Sequence, residues 1–278
     1  MYNPMNEIIS YSFLEWNIQG AGGLSGYTIQ KFVADTIIQK NKDIVVLVEF
    51  YIGYNFDYIR QRLQNKYFVF ISPFLYGHNQ VLIALNRSKF EESNILKIVT
   101  ANPLDIKRPE YLQLDIKIDI KTKQDEVFSI IGARIKTQGS EEDRVEQFKF
   151  LNEQIESIDR VICVGDFNLT STHTKKYLTA AEVYGPRTLD DKRWSFVHKD
   201  YGKVGIDLVV AKNIEIPKEM EDDLSKKENY KMYAIYDWGF VNAKNGYKNL
   251  TSSDYLPKFT SMPNHAILIG NFKININR

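Results

Sequence analysis

Gly165-Asp166-Phe167-Asn168-Leu169-Thr170 is the stretch on which the reading of this chain turns. It follows Arg160-Val161-Ile162-Cys163-Val164, an apolar and largely β-branched run that reads as a buried strand. A rigid strand ending in Gly-Asp-aromatic-Asn sets a carboxylate and a carboxamide, two residues apart, on one side of the chain at a sheet edge. An Asp in that place starts a turn as readily as it builds a site, so the rest of the chain has to decide.

On the N-terminal side, Glu142 to Ile155 carries Val145, Phe148, Leu151 and Ile155 at helical spacing, with Glu141, Glu142 and Asp143 near the start, where acidic groups favour the dipole. This helix feeds the Asp166 strand. Before it, Lys66–Ser72, Gln80–Asn86, Ile95–Ala101, Tyr111–Ile118 and Val127–Ile135 read as strands of a meander, and the alternation in Tyr111–Ile118 is that of a half-exposed antiparallel strand. Asp43 to Val48 reads as a strand with five apolar residues in a row, which means burial on both faces, and it delivers Glu49 at its end. A carboxylate emerging from a core needs a partner, either an Arg or Lys or a hard cation. Ile8–Asn17 is a further β-branched and aromatic strand. The Gly20-Ala21-Gly22-Gly23 loop after it fits neither the P-loop nor the dinucleotide fingerprint. Tyr27–Asn41, with Ile29, Phe32, Val33 and Ile37 on one stripe, is a helix covering the sheet.

On the C-terminal side a short helical piece is expected near Lys175–Val183, followed by strands at Trp194–Val197 and Gly205–Val210. The second holds Asp207 inside an apolar run, and a buried carboxyl needs a hydrogen-bond donor. Lys212–Tyr230 is densely charged and reads as a solvated excursion. Pro263-Asn264-His265 then precedes a closing strand, Ala266–Phe272. With no repeat and no Pro/Gly linker, residues 1–278 read as one α+β domain of two packed sheets with outer helical layers.

Composition narrows the function. The 36 basic and 35 acidic residues nearly cancel, so no global field draws in a polyanion and any nucleic-acid binding needs a local patch. Candidates for one are Arg87, Lys89, Lys107, Arg108, Lys136, Lys192 and Arg193, whose alternative is scattered surface charge. The single cysteine, Cys163, lies in the core strand and cannot form an internal disulfide. Met1–Ile9 has no signal-peptide pattern and no window approaches the roughly 20 apolar residues of a membrane span, so the expectation is a cytoplasmic protein.

Strand ends and interiors thus supply Asn17, Glu49, Asp166 with Asn168, Asp207, and Asn264-His265. In this the sequence resembles the endonuclease/exonuclease/phosphatase superfamily. The motifs are Trp16-Asn17-Ile18-Gln19-Gly20, the apolar strand ending in Glu49, Gly165–Thr170, Gly205-Ile206-Asp207-Leu208-Val209, and Asn264-His265-Ala266-Ile267-Leu268, in that order over nearly the whole chain. The resemblance implies a deoxyribonuclease I-like fold: a four-layered αββα sandwich of two mainly antiparallel sheets with the site at one edge. It implies that Glu49 is the principal ligand of a catalytic Mg²⁺ or Mn²⁺, with Asn17 and Asn264 beside the metal. Asp166 would position and deprotonate the attacking water, Asn168 would donate to the phosphate, and His265 would hydrogen-bond the phosphoryl oxygens with Asp207 fixing its tautomer. Two positions depart from the pattern. Most members carry Asp where this chain has Asn264, which removes a negative charge next to the metal, and many carry His or Tyr where this chain has Arg134. A guanidinium is no general acid at neutral pH but is a good fork for phosphate, so Arg134 is expected to hold substrate.

The function expected is a metal-dependent phosphoesterase, a phosphodiesterase or nuclease, with DNA and RNA among the candidate substrates. The alternatives are a phosphatase or phosphodiesterase for a small nucleotide, sugar or lipid phosphate, and a binding module that has kept the fold without turnover. Aromatics between Asn229 and Met262, Tyr236 and Trp238 among them, either stack on substrate or pack the loop onto the sandwich.

Overall fold

The computed structural model describes residues 7–18, 27–50, 57–72, 80–100, 115–135, 140–186, 194–198, 202–217, 234–238 and 265–276. Its strands are β1 (Glu7–Asn17), β2 (Ile44–Phe50), β3 (Tyr67–Ile71), β4 (Gln80–Asn86), β5 (Ile95–Thr100), β6 (Asp115–Lys121), β7 (Val127–Arg134), β8 (Val161–Asp166), β9 (Glu182–Tyr184), β10 (Phe196–His198), β11 (Gly202–Val204), β12 (Asp207–Lys212), β13 (Ile235–Asp237) and β14 (Ile267–Ile276). The helices are α1 (Tyr27–Lys40), α2 (Asp57–Gln64), α3 (Glu141–Glu156) and α4 (Ser171–Thr174).

Twelve strands form two six-stranded sheets, ordered β13-β14-β1-β2-β4-β3 and β5-β6-β7-β8-β12-β9, and β10-β11 is a separate ribbon. Most pairs are antiparallel, but β1 runs parallel to β2 and β7 parallel to β8. Side-chain parity sorts the apolar residues into layers. On β1, Tyr11 and Phe13 face the core between the sheets, while Leu14 and Trp16 face the layer under α1 and α2. On β8, Ile162 and Val164 point to the inter-sheet core, while Val161 and Cys163 meet Phe148, Leu151 and Ile155 of α3. The order is therefore helices, sheet, sheet, helices, as the resemblance implied.

The two parallel pairs position the site. Asn17 lies opposite Val48 in the β1–β2 register, and Arg134 lies opposite Asp166 in the β7–β8 register, so four strands end at one edge. The antiparallel partner β12 begins there, with Asp207 opposite Asp166.

Several local expectations change. Residues 175–183 form no helix. Instead α4 is a single turn at Ser171–Thr174, and Val183 pairs with Val210 as part of β9, so cross-strand pairing overrides local helical preference. The alternating strand expected at Tyr111–Ile118 is observed at Asp115–Lys121, where Ile116, Ile118 and Ile120 all face inward, and residues 111–114 lie outside the described residues. The charged segment after Lys212 starts packed, not solvated. Ile214 and Ile216 are buried, and Glu215 exchanges both backbone hydrogen bonds with Lys273, while residues 218–233 lie outside the described residues. In α3 the stripe is Phe148, Leu151 and Ile155, with Val145 exposed. Helix α2 and strand β13 were not anticipated.

Gly165 joins the fold to the site. A Cβ built there would sit 1.7 Å from the Ala133 carbonyl oxygen on the neighbouring parallel strand, a backbone atom that cannot rotate away. Gly165→Ala should cost about 3 kcal/mol in urea unfolding, the upper end of overpacking penalties, because the β7–β8 ladder must open. A cost under about 1 kcal/mol would mean the strands spread freely.

Candidate active site

Asp166, Asp207 and His265 come together at the shared edge, their ligating atoms all within 4.8 Å of one another and all three residues buried. His265 Nδ1 is 2.9 Å from Asp207 Oδ2. Ser195 Oγ donates to the same Asp207 oxygen and accepts from the Ile206 and Asp207 amides, both at 3.1 Å. The His265 carbonyl accepts from Trp16 Nε1 at 3.0 Å, and its ring lies against Phe196. The imidazole is thus fixed at the backbone, at Nδ1 and on one face.

Asp166 is held by two donors. Its Oδ2 accepts from Asn17 Nδ2 at 2.9 Å and its Oδ1 from the Asn168 amide at 2.9 Å. Asn168 has φ +50°, in the left-handed region that Asn tolerates, and its carboxamide donates to the Ile135 carbonyl at 2.7 Å. Asn168 therefore shapes the Asp166 turn and ties it to the end of β7.

Glu49 stands at an irregularity. The β2–β4 register shifts between Leu47 and Phe50, and Glu49 takes φ +54°, strained for a residue with a long side chain. Arg134 reaches it across the sandwich, with Nε and Nη2 donating to Oε1 at 3.0 and 2.7 Å.

These contacts set the charge states. Burial alone would raise the Glu49 carboxyl, but Arg134, then His265, then hydrogen bonds from Asn17 and Arg134 hold it below its ordinary value. Burial and then Asp207 push Asp166 up to about 6, against the pull of His265 and Arg134. Burial works to lower His265, yet the charge and hydrogen bond of Asp207 outweigh it and bring the imidazole up to about 8. At neutral pH, Glu49 and Asp166 are anionic and His265 is cationic.

Of the residues singled out from sequence, Asn17, Glu49, Arg134, Asp166, Asn168, Asp207 and His265 meet at this edge. Asn264 lies outside the described residues, as do Lys107, Arg108, Lys136, Lys192 and Arg193. Arg87 and Lys89 lie at the opposite end, beside Asn86, whose amide donates to Asp43 at the start of β2. There they pack over Phe68 and Tyr11. Trp238 is buried against Trp194, and Tyr236 is buried with its hydroxyl donating to the Asp207 carbonyl at 2.5 Å. Both are packing residues, not stacking surfaces.

Two residues escaped the sequence reading. Ser195 was a polar residue in the Trp-Ser-Phe run, which was the available signal. Glu15 shares the parity of Asn17 and so points between the sheets, one pleat below the site. It is fully buried, and neither carboxyl oxygen has a hydrogen-bond partner among the described residues. Burial first, then Asp207 and Asp166, raise its pKa well above 4.5, so it is held as the neutral acid.

The oxygen donors fit a hard divalent cation. Glu49 is ionised, Asn17 adds a carboxamide, and Mg²⁺ or Mn²⁺ takes few protein ligands and keeps water. The Asp166–Asp207–His265 group suits one less, because His265 Nδ1 and Asp207 Oδ2 are spent on each other and both Asp166 oxygens have donors. Glu15 gives a stability test. Its folded-state pKa is raised, so the native protein binds more protons than the unfolded chain above pH 4.5 and loses stability as pH rises. Glu15→Gln removes that term. Urea unfolding should show the variant more stable by about 1–3 kcal/mol at pH 8, with the gap closing towards pH 4.5. Parallel pH profiles would show that Glu15 is solvated.

No protein-family model matches the chain, and no curated protein matches it. Solved structures do. An endonuclease/exonuclease/phosphatase from Bacteroides vulgatus is 13% identical, with TM-score 0.63 over 95% of this chain and 98% of that one. Truncated Caenorhabditis elegans TDP2 is 13% identical, with TM-score 0.61 over 96% and 98%. ANGEL2, a 2′,3′-cyclic phosphatase, is 10% identical, with TM-score 0.66 over 99% and 100%. The chain therefore has the deoxyribonuclease I-like fold of the endonuclease/exonuclease/phosphatase superfamily.

Proposed function

We propose that the protein is a metal-dependent phosphoesterase that hydrolyses phosphodiester bonds by water attack. The observation that carries this reading is the pairing of a base and an acid at one edge. Asp166, near pKa 6, is held by Asn17 and the Asn168 amide, and His265, near pKa 8, is held by Asp207. Fold neighbours support it: ANGEL2 is a 2′,3′-cyclic phosphatase, and D. rerio TDP2 has been solved with a single-strand DNA product.

Each side chain has a definable task. Asp166 keeps a second lone pair on each oxygen and accepts the proton of the attacking water. His265, with Nδ1 committed to Asp207, presents Nε2–H to a phosphoryl oxygen and neutralises charge as it develops. Arg134 supplies a guanidinium fork for a second phosphoryl oxygen. Held by Glu49 and the carboxamide oxygen of Asn17, Mg²⁺ or Mn²⁺ would add a Lewis acid at the same phosphate. Glu49 keeps its charge at working pH, so its affinity for the ion is not lost to protonation.

The near balance of 36 basic and 35 acidic residues favours the smaller-substrate alternative, because no global field draws in a polyanion. Of the basic candidates, Arg87 and Lys89 sit at the far end of the sandwich. Assays should therefore pair single- and double-stranded DNA and RNA with bis(p-nitrophenyl) phosphate and 2′,3′-cyclic nucleotides, each with Mg²⁺ and Mn²⁺.

With a cleaved substrate in hand, kcat/KM should follow a bell with limbs near pH 6 and pH 8. Activity rises as Asp166 loses its proton and falls as His265 loses its own. Asp207→Asn removes the charge that keeps His265 cationic, so it should lower kcat by roughly 10²–10⁴-fold and shift the alkaline limb below pH 8. If parent and Glu49→Gln are equally inert on every substrate, the chain is not a hydrolase of this kind.

A further inference from the structure

Arg134 and Glu49 do not meet as the usual pair of parallel forks, with one N–H on each carboxylate oxygen. Both bonds converge on Oε1, and Arg134 Nη1 is buried with no partner among the described residues. Both side chains are largely withdrawn from water, 10% and 14% exposed. The guanidinium thus covers one of the two anionic oxygens that Glu49 could offer a hard cation at this edge, and it holds back a donor with no partner among the described residues.

Two physical requirements follow. A partly buried carboxylate left alone is strongly destabilising, so Glu49 needs a cation at all times. A divalent ion on Glu49 and a guanidinium on Oε1 would face each other as like charges across one carboxylate, which favours exchange of the one for the other. Glu49 is aimed by its own bulge and left-handed backbone, so its carboxylate stays at the edge when the guanidinium leaves. The displaced group needs an anionic acceptor with several oxygens, which a phosphate provides.

We propose that Arg134 is the internal counter-cation of Glu49: it competes with the divalent ion for Oε1 and, once displaced, turns to the substrate phosphate. This rests on the reading of Glu49 as the metal ligand. Arg134 would then set the affinity for metal and couple metal binding to phosphate binding, two tasks for one side chain.

The test is Mn²⁺ binding to the full chain, followed by the electron paramagnetic resonance of the free ion, for the parent, Arg134→Gln, Arg134→Lys and Glu49→Gln. Arg134→Gln should bind Mn²⁺ at least tenfold more tightly than the parent. Arg134→Lys, which keeps the charge but not the fork, should fall between them. With Mn²⁺ present, Arg134→Gln should bind inorganic phosphate at least tenfold more weakly than the parent. Equal or weaker Mn²⁺ binding by Arg134→Gln, where Glu49→Gln abolishes it, overturns the counter-cation role alone. Mn²⁺ binding that Glu49→Gln leaves unchanged overturns the assignment of Glu49 on which the role depends. If Arg134→Gln does not fold without metal, Arg134→Lys decides: tighter Mn²⁺ binding than the parent supports the proposal, and equal binding overturns it.

Discussion

The face-to-face packing of the two six-stranded sheets is the constraint from which the site follows. Phe13, Val46 and Val48 on one sheet and Ile130, Ile162 and Val164 on the other belong to one continuous core. Apolar burial of this kind has no direction of its own, so it fixes how far apart the sheets lie and leaves the polar ends to strand polarity. Strand polarity then acts through the two parallel pairs. Parallel strands finish at the same edge, which brings Asn17 and Glu49 to one sheet's rim and Arg134 and Asp166 to the other's. Antiparallel β12 contributes its start, Asp207, at the same level. The contacts of Asn17 with Asp166 and of Arg134 with Glu49 both cross from one sheet to the other. They exist only because the core holds the sheets in register.

Electrostatics explains why the edge tolerates so many carboxylates. Glu49, Asp166, Asp207 and Glu15 are gathered within reach of two cations, Arg134 and His265. Glu15 escapes the crowd by keeping its proton, which leaves three negative charges against two positive among these described residues. A divalent ion on Glu49 would turn that small deficit into a small excess of positive charge, and a phosphodiester monoanion would cancel it. On the proposed function, a singly charged phosphate and a divalent ion would together balance the charges of these residues.

Much of this was legible in the sequence because it depends on one-dimensional patterns. Apolar runs followed by Asn17, Glu49 and Asp166 identify strand ends whatever the pairing, and the limits of β4 could be read to the residue. Apart from helix α2, what escaped depends on a partner distant in the chain. Residues 182–184 are a strand because β12 offers Val209–Ala211 for pairing, a fact that no local window contains. Glu15 has the parity of Asn17, but that it is buried among carboxylates follows only once β8 and β12 lie across from it. Arg134 was expected to face phosphate, and its engagement with Glu49 became visible only when the ends of β2 and β7 were brought together.

The fold survives at 10–13% identity to the solved structures because its two kinds of position tolerate change differently. Core positions accept any side chains that keep volume and pattern, so they drift until sequence comparison finds nothing. Polar strand ends are set by chemistry, and a change there alters the reaction instead of the fold. By the family resemblance of the sequence, Arg134 would be such a change. A guanidinium gives up no proton at neutral pH, so the end of β7 can bind and balance charge but cannot act as an acid. In the function proposed above, neutralising the charge that develops on the phosphate falls to His265, which Asp207 brings up to about 8 against the effect of burial and which Asp207, itself held by Ser195, keeps in place.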